Sequence, residues 1–79
     1  MSFKQIFSAF VSGEKIKRKA WKGYWRYYFS KIEMHSKDGT VTNFCDTNDI
    51  LFTISHITEN DWEFATVENC PVLAEEQIV

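Results

Sequence analysis

These 79 residues carry nine basic and eleven acidic side chains, for a formal charge of −2, and form one small domain. No apolar stretch reaches the length of a membrane span and the N-terminus lacks the hydrophobic run of a secretion signal, so we expect a cytosolic protein with no membrane partner. The thirteen aromatic side chains are needed for packing in so small a domain, which favours a homo-oligomer in which one ring serves both a subunit contact and a pocket.

Residues 3–12 are predicted to form a short amphipathic helix. Ser2 can cap it, with Gln5 three residues later as in a capping box, and Gly13 follows where a left-handed terminator is required. Because a helix this short is not stable alone, its apolar stripe must lie on a sheet. That stripe, at i, i+3, i+4 and i+7 spacing, consists of Phe3, Ile6, Phe7 and Phe10.

After Gly13 the periodicity changes to two, which predicts strands. Residues 15–21 form the first strand, which ends at Lys22-Gly23, and residues 24–36 form a long second strand. Both faces of the second strand are largely apolar in its first half, so we expect the helix to cover one face and another subunit or a ligand to cover the other. One face would carry Trp25, Tyr27 and Phe29, and the other Tyr24, Arg26, Tyr28, Ile32 and Met34.

Asp38-Gly39 predicts a two-residue hairpin in which both central residues take positive φ. The third strand is then predicted at residues 40–44, and residues 46–49 form a polar connection. Residues 50–57 are rich in β-branched side chains and are predicted to form a fourth strand, although Leu51 allows a helical turn at its start.

The C-terminal part is predicted to hold a turn at residues 58–61 and an edge strand at residues 62–67. Residues 68–79 have no clear pattern and are expected to form a loosely held acidic tail. The sequence therefore predicts an α+β fold within residues 1–67, in which a short N-terminal helix packs on a small antiparallel sheet of four to five strands.

The residues that commonly carry enzyme chemistry are scarce. Cys45 and Cys70 are expected to be free buried thiols, and with His35 and His56 they lack the spacing of a zinc site. The two histidines are the only plausible bases, and their surroundings are typical of partly exposed strand residues with no glycine-rich phosphate loop nearby. We expect binding without catalysis, with no metal and no cofactor.

The charges are unevenly distributed along the chain. Residues 14–31 carry seven basic side chains and one acid, whereas the chain from Glu33 to its end carries ten acids and one lysine. The acidic part would repel a long nucleic acid unless it faced away, but it places no such limit on a small anion in an enclosed pocket.

Six aromatic residues fall within the nine positions from Trp21 to Phe29, with Lys22 and Arg26 between them. They are either core material or a surface for a flat, anionic ligand. The rings alternate between the two faces of the strand. Together they present more aromatic surface than one helix can cover. Arg18 and Arg26 lie on strands that flank Trp21, where guanidinium groups can bind phosphate or lie against a purine.

Three motifs follow one another within residues 3–64. They are Phe3-x-x-Ile6-Phe7-x-x-Phe10, then Gly13-Glu14-Lys15-Ile16-Lys17-Arg18-Lys19-Ala20-Trp21, and finally Asp61-Trp62-Glu63-Phe64. Their order resembles the small phage domain of the Thoeris anti-defence two family. The resemblance implies a phage protein that sequesters the host immune nucleotide glycocyclic ADP-ribose, made by a TIR-domain protein, without chemistry. It also implies homo-oligomers, commonly tetramers, with ligand between subunits, and some members bind cyclic oligonucleotides.

One departure from the family concerns the segment before Asp61-Trp62. The family often brings an Asp-Leu-Leu-like element almost directly before its Asp-Trp pair, whereas here Asp49-Ile50-Leu51 is separated from that pair by residues 52–60. We expect the inserted strand to reshape or fill the pocket.

We therefore expect a phage protein of the host cytoplasm that binds glycocyclic ADP-ribose or a cyclic oligonucleotide as a homo-oligomer, a dimer or a tetramer. Bases would stack on aromatic rings, basic side chains would neutralise the pyrophosphate, and Thr58 or Asn60 would bind ribose hydroxyls. The alternatives are a module that docks a host protein through exposed aromatics, or a binder of single-stranded nucleic acid. The expected ligand-binding residues are Arg18, Trp21, Lys22, Trp25, Arg26, Tyr27, Thr58, Asn60, Asp61 and Trp62.

Overall fold

A computed structural model describes residues 1–46 and 50–76 of the chain. Its first element is helix α1, Phe3–Val11, which confirms the predicted N-terminal helix. The capping box is present, because the Gln5 amide donates to Ser2 Oγ at 3.2 Å and the Ser2 amide donates to Gln5 Oε1 at 2.8 Å. Gly13 follows the helix with a φ of 108°, a left-handed conformation that glycine adopts without steric cost.

Five antiparallel strands form one sheet with the spatial order β4-β3-β2-β1-β5, which confirms the α+β fold. Helix α1 packs on one face of the sheet, and a short C-terminal helix, Pro71–Glu76, packs on the other. The strands are β1 (Ile16–Arg18), β2 (Tyr24–Tyr28), β3 (Lys31–His35), β4 (Val41–Asn43) and β5 (Trp62–Phe64).

The prediction of one long strand at residues 24–36 is wrong. A tight hairpin at Phe29-Ser30 divides it into β2 and β3, and both turn residues have positive φ, of 49° and 62°. Neither residue type favours that conformation, so the sequence carried no signal for the turn. The hairpin pairs Tyr27 with Ile32, and therefore places Ile32 on the face of Tyr27 instead of the opposite face.

The turn between β3 and β4 also differs from the prediction. Gly39 alone has positive φ, at 86°, while Asp38 lies outside the left-handed region. The Gly39 amide donates to the Ser36 carbonyl at 3.0 Å and the Ser36 amide donates to the Thr40 carbonyl at 2.9 Å. These bonds define a three-residue hairpin loop closed by a glycine bulge, in place of the predicted two-residue turn.

The strand predicted at residues 50–57 is wrong, because this segment is helical. Helix α2 spans Ile50–Ser55 and continues into a 3₁₀ helix at His56–Thr58, so tertiary packing overrides the β propensity of the branched side chains. A further 3₁₀ helix lies at Phe44–Asp46. Of the predicted polar connection at 46–49, residues 47–49 lie outside the described residues.

The C-terminal segment is not a loosely held tail over its described part, where helix α3 spans Pro71–Glu76. Val72 and Leu73 are each 6% exposed, and with Cys70 they pack against Tyr24. Apolar burial on the second face of the sheet thus holds this segment. Residues 77–79 lie outside the described part, and the assignment of residues 1–67 as the domain stays a prediction.

The larger core lies between α1 and the first face of the sheet. Ile6 and Phe10 of the helix pack on Ile16, Trp25 and Trp62, and all five side chains are at most 5% exposed. Of the predicted apolar stripe, Ile6 and Phe10 lie on the sheet and Phe3 packs beside them, whereas Phe7 is 50% exposed.

Both cysteines are free, as predicted, but they differ in burial. Cys70 is buried beneath α3, whereas Cys45 is exposed, which corrects the expectation of two buried thiols. None of the helices in ranges 1–46 and 50–76 is long and apolar enough to span a membrane.

Candidate functional site

An open cavity of about 660 Å³ lies at the end of the β2–β3 hairpin opposite its turn, between the two strands and helix α2. The segment that enters β2, residues 20–25, lines one side, and the segment that leaves β3, residues 34–37, lines another. Phe52 and Thr53 of α2, together with His56, complete the lining. Three separate stretches of sequence therefore meet around one cavity.

One side of the cavity is aromatic. The Trp21 and Trp25 rings have centroids 5.3 Å apart, and Trp21 also lies edge-on to Trp62 at 5.2 Å. Trp25 and Trp62 are only 5% and 1% exposed, while Trp21 is half-buried. Trp21 is therefore the indole of this cluster with the most surface left for a ligand.

The charged side chains among the described residues that line the cavity are two lysines, Lys22 and Lys37. His35, His56 and Tyr24 also line it, and no carboxylate belongs to this described lining. The chain as a whole carries a formal charge of −2, whereas the described lining of the cavity carries the positive charges of two lysines.

The backbone beside Lys22 is fixed from two directions. The Lys22 carbonyl accepts hydrogen bonds from the Val72 amide and the Cys70 thiol, both at 3.2 Å. At the next residue, a Cβ on Gly23 would lie 1.9 Å from the carbonyl oxygen of His35. Only glycine allows this close approach. Separately, Val72 of helix α3 and the preceding Cys70 hold the Lys22 carbonyl from outside the cavity.

Arg18 lies next to the cavity and is held by acidic groups. Its Nε and Nη2 donate to the two carboxylate oxygens of Asp61 at 2.7 and 3.2 Å, and Glu59 lies 3.8 Å away. The hydrogen bond to Asp61 raises the pKa of Arg18, and the same bond lowers the pKa of Asp61. This bidentate arrangement fixes the plane of the guanidinium group.

The remaining Arg18 nitrogen, Nη1, lies 2.8 Å from Nδ1 of His56. The His56 ring lies edge-on to Trp21 and Phe52, with centroids at 5.0 and 4.9 Å, and its carbonyl accepts from the Trp62 indole at 3.0 Å. Burial, and then the positive charge of Arg18, lower the pKa of His56. His56 is therefore kept neutral at the aromatic side of the cavity.

A second polar cluster lies on the opposite side of the β2–β3 hairpin from the main core. Arg26 Nε donates to Glu33 at 2.6 Å, and the guanidinium group lies 4.2 Å from the centre of the Tyr28 ring. The hydrogen bond from Arg26 lowers the pKa of Glu33. Arg26 is thus paired with a carboxylate and does not line the cavity.

His35 connects this polar cluster to the cavity. Its ring stacks on Tyr24 at 4.3 Å, and its two nitrogens lie 3.1 Å from Glu33 and 3.4 Å from Glu76. The Tyr24 hydroxyl also donates to Glu76, and burial, followed by this hydrogen bond, raises the pKa of Tyr24. Helix α3 is tied to the sheet through these groups.

Three of the ten residues predicted for binding, Trp21, Lys22 and Trp25, line the cavity. Arg18 adjoins it through His56, and Asp61 is bonded to Arg18. The other five lie elsewhere. Trp62 is in the core, Tyr27 packs against Phe10, and Arg26 belongs to the polar cluster. The Thr58 hydroxyl donates to the Ser55 carbonyl, and the Asn60 carbonyl accepts from the Met1 ammonium group.

The sequence prediction did not include His35, Lys37, Phe52 or His56 among the ligand-binding residues. Both histidines were interpreted as strand residues, and the strand assigned to residues 50–57 hid the helix that brings Phe52 and His56 to the cavity. In the described ranges, no cluster of three or more His, Cys, Asp or Glu residues is arranged to hold a metal ion.

Comparison with family models, with curated proteins and with solved structures gave no match to this chain. The functional argument therefore depends on the cavity and its chemistry.

Proposed function

We propose that this protein binds a small, flat, phosphorylated molecule of the cyclic nucleotide type in the cavity and holds it without altering it. The ligand class is that of glycocyclic ADP-ribose or a cyclic oligonucleotide. In this proposal the protein is a phage product of the host cytoplasm that removes such a signal from a TIR-dependent defence. The observation that carries the proposal is that one cavity is lined both by the indole rings of Trp21 and Trp25 and by the lysines Lys22 and Lys37.

The size and chemistry of the cavity support this ligand class. Its volume of about 660 Å³ falls within the range of roughly 300–1,000 Å³ typical of small-molecule sites. Trp21 offers a stacking surface, and Lys22 and Lys37 offer ammonium donors for phosphate oxygens. A flat anion satisfies both features at once.

The magnitude of these contacts is sufficient for useful affinity. One stacked base contributes about 1–3 kcal/mol, and each charge-assisted hydrogen bond contributes about 1.5–3 kcal/mol. One ring and two lysines together give roughly 4–9 kcal/mol, which corresponds to dissociation constants from about millimolar to below micromolar before the entropy of binding is subtracted.

Sequestration without catalysis is proposed because the basic nitrogen of His56 is already engaged. A histidine can act as a general base only through an unprotonated ring nitrogen. In His56 that nitrogen, Nδ1, accepts from Arg18 at 2.8 Å. The arrangement favours holding a ligand over removing its protons.

Exposed apolar residues at the cavity support a homo-oligomer as part of the proposal. Leu51, Phe52 and Ile54 of α2 are 77%, 62% and 42% exposed, and Phe52 lines the cavity. A second copy packed on this surface would close the cavity around its ligand, in a dimer or a tetramer. The same exposed side chains favour the second candidate function, the docking of a host protein.

Isothermal titration calorimetry with glycocyclic ADP-ribose, ADP-ribose and cyclic di- and trinucleotides tests the proposal. We expect at least one to bind, and the Lys22→Gln, Lys37→Gln double variant to bind it at least about tenfold more weakly, since two charge-assisted bonds are lost. Lys31→Gln is the matched control, because Lys31 is an exposed lysine of β3 outside the cavity lining.

Mass spectrometry of the ligand released by heating separates a sponge from an enzyme, and we expect the probe to be recovered intact. No heat with any of these nucleotides would reject the proposed function. Protein-docking activity would then be supported only if a Leu51→Ser variant, which keeps the cavity lining, lost a specific host polypeptide retained by the unaltered protein.

A further inference from the structure

We propose that His56, fixed in one tautomer by Arg18, is a specificity-determining residue that donates a hydrogen bond from Nε2 to an acceptor atom on the flat ring of the ligand. This inference rests on the proposed function and assigns a role to a histidine that the sequence did not single out for binding. The acceptor class is a ring nitrogen or a keto oxygen of a nucleobase.

The tautomer follows from the chemistry of the Arg18–His56 contact. A guanidinium group has only donors, so the Nδ1 that lies 2.8 Å from Arg18 Nη1 must be the unprotonated acceptor. The proton of the neutral ring therefore lies on Nε2. Asp61 holds the other side of the same guanidinium group with two bonds, which prevents Arg18 from turning away.

The position of His56 determines which part of the ligand it contacts. Its ring lies between Trp21 and Phe52 on the aromatic side of the cavity, where a base would stack. Within the described residues, the hydrogen bonds of the His56 side chain involve Nδ1 alone. The Nε2 hydrogen is therefore left for a partner that enters the cavity.

Burial, together with the charge of Arg18, favours a neutral His56 donor over an imidazolium ion. Arg18 faces it from β1, and Glu59 and Asp61 face it from the segment before β5, while the ring contacts of His56 among the described residues are with Trp21, Trp25 and Phe52. Burial and the adjacent guanidinium charge lower the pKa of His56, against the smaller effect of the two carboxylates. A neutral N–H suits an uncharged acceptor on a base, and the lysines remain for phosphate.

Arg18 is then a positioning residue. It was expected from the sequence to neutralise pyrophosphate, but in the described part of the chain each of its three nitrogens already makes a hydrogen bond, two to Asp61 and one to His56. It acts on the ligand through the His56 tautomer.

Long-range ¹H–¹⁵N spectra of the ligand-free protein test the tautomer without any ligand. We expect a protonated Nε2 and an unprotonated Nδ1 in His56 at pH 7.5, and we expect Arg18→Met to remove this bias. A protonated Nδ1 in the unaltered protein would overturn the inference.

Two substitutions of His56 test the hydrogen bond to the ligand, using whichever of glycocyclic ADP-ribose, ADP-ribose or a cyclic dinucleotide the unaltered protein binds. His56→Gln keeps an acceptor for Arg18 and an N–H donor, whereas His56→Phe keeps an aromatic ring without either. We expect His56→Phe to bind about ten- to a hundredfold more weakly, and His56→Gln within about threefold of the unaltered protein.

The outcomes separate the inference from the proposed function. Equal binding by His56→Phe would overturn the inference and leave nucleotide binding intact, while absence of binding by the unaltered protein would overturn both. If His56→Phe does not fold, Arg18→Met carries the test. It should weaken binding about two- to tenfold together with the loss of the single tautomer, and unchanged affinity would count against the inference.

Discussion

Replacing Leu73 by alanine tests whether helix α3 is part of the folded domain. Leu73 is 6% exposed and packs with Val72 and Cys70 against Tyr24 on the second face of the sheet. The sequence predicted a loosely held tail here, for which the substitution would have no effect. The structure predicts a clear loss of stability.

The expected loss follows from the burial of the side chain. Leucine-to-alanine changes in protein cores cost about 2–5 kcal/mol, and the six-residue helix α3 lies at the edge of the domain, where it can shift to fill part of the space. We therefore expect about 2–3 kcal/mol. In a domain of this size each kcal/mol lowers Tm by about 4–8 °C, so Tm should fall by roughly 8–24 °C.

Thermal and urea denaturation followed by circular dichroism measure this loss, and Glu75→Ala is the matched control because Glu75 is exposed on the same helix. The control should stay within about 0.5 kcal/mol of the unaltered protein. Leu73→Ala should also weaken ligand binding, since α3 holds the Lys22 carbonyl. A Leu73→Ala protein as stable as the control would refute the packing of α3 on the sheet.

Three further predictions concern the turns and the titration of the site. Gly23→Ala should cost at least about 2 kcal/mol in urea denaturation, because its Cβ meets the His35 carbonyl; an unchanged midpoint would contradict the close approach. The pair Phe29→Asn and Ser30→Gly should stabilise the β2–β3 hairpin by about 1 kcal/mol, since both positions have positive φ, and a lower Tm would argue against that turn. Folding lowers the pKa of His56. As the pH falls below about 6.5, His56 therefore binds a proton more readily in the unfolded chain than in the folded protein, so acidification lowers the free energy of unfolding. His56→Gln should remove this component of the pH dependence between about pH 7 and 5, and identical profiles would contradict the lowered pKa.

Helix α1 was predictable because its signals are local. Ser2 and Gln5 form the capping box, and the spacing of the apolar residues places Ile6 and Phe10 on the buried face, although Phe7 of the same stripe is exposed. The same is true of Gly39, whose positive φ closes the second hairpin. Local chemistry determined these features, and the sequence therefore identified them.

The first hairpin and helix α2 were not predictable, for two different physical reasons. Phe29-Ser30 adopts a left-handed turn that neither side chain favours, so its conformation is imposed by the pairing of the flanking strands. Residues 50–57 have a composition typical of a strand, but the segment packs as a helix across the end of the sheet. In both places tertiary contacts outweighed local preference.

The candidate site was predictable only where its residues are close in sequence. Trp21, Lys22 and Trp25 lie in one aromatic and basic segment, and they were expected to bind the ligand before the structure placed them at the cavity. The contact between Arg18 and His56 joins positions 38 residues apart, and it depends on the helical path of α2. Spacing in the sequence contains no signal for such a contact.

The position of β5 at the edge of the sheet bears on the order in which the chain folds. Strands β1 to β4 form a meander in which β1 pairs with β2, β2 with β3 and β3 with β4. Strand β5 instead pairs with β1, at the far end of the sequence, through the register Ile16–Phe64. Closing so long a loop costs entropy that the short hairpins avoid, so we expect the meander to nucleate folding and the edge strand to dock afterwards. In stopped-flow kinetics, Ile32→Val should then mainly slow folding and Phe64→Leu mainly speed unfolding; the reverse pattern would place the long-range closure in the nucleus.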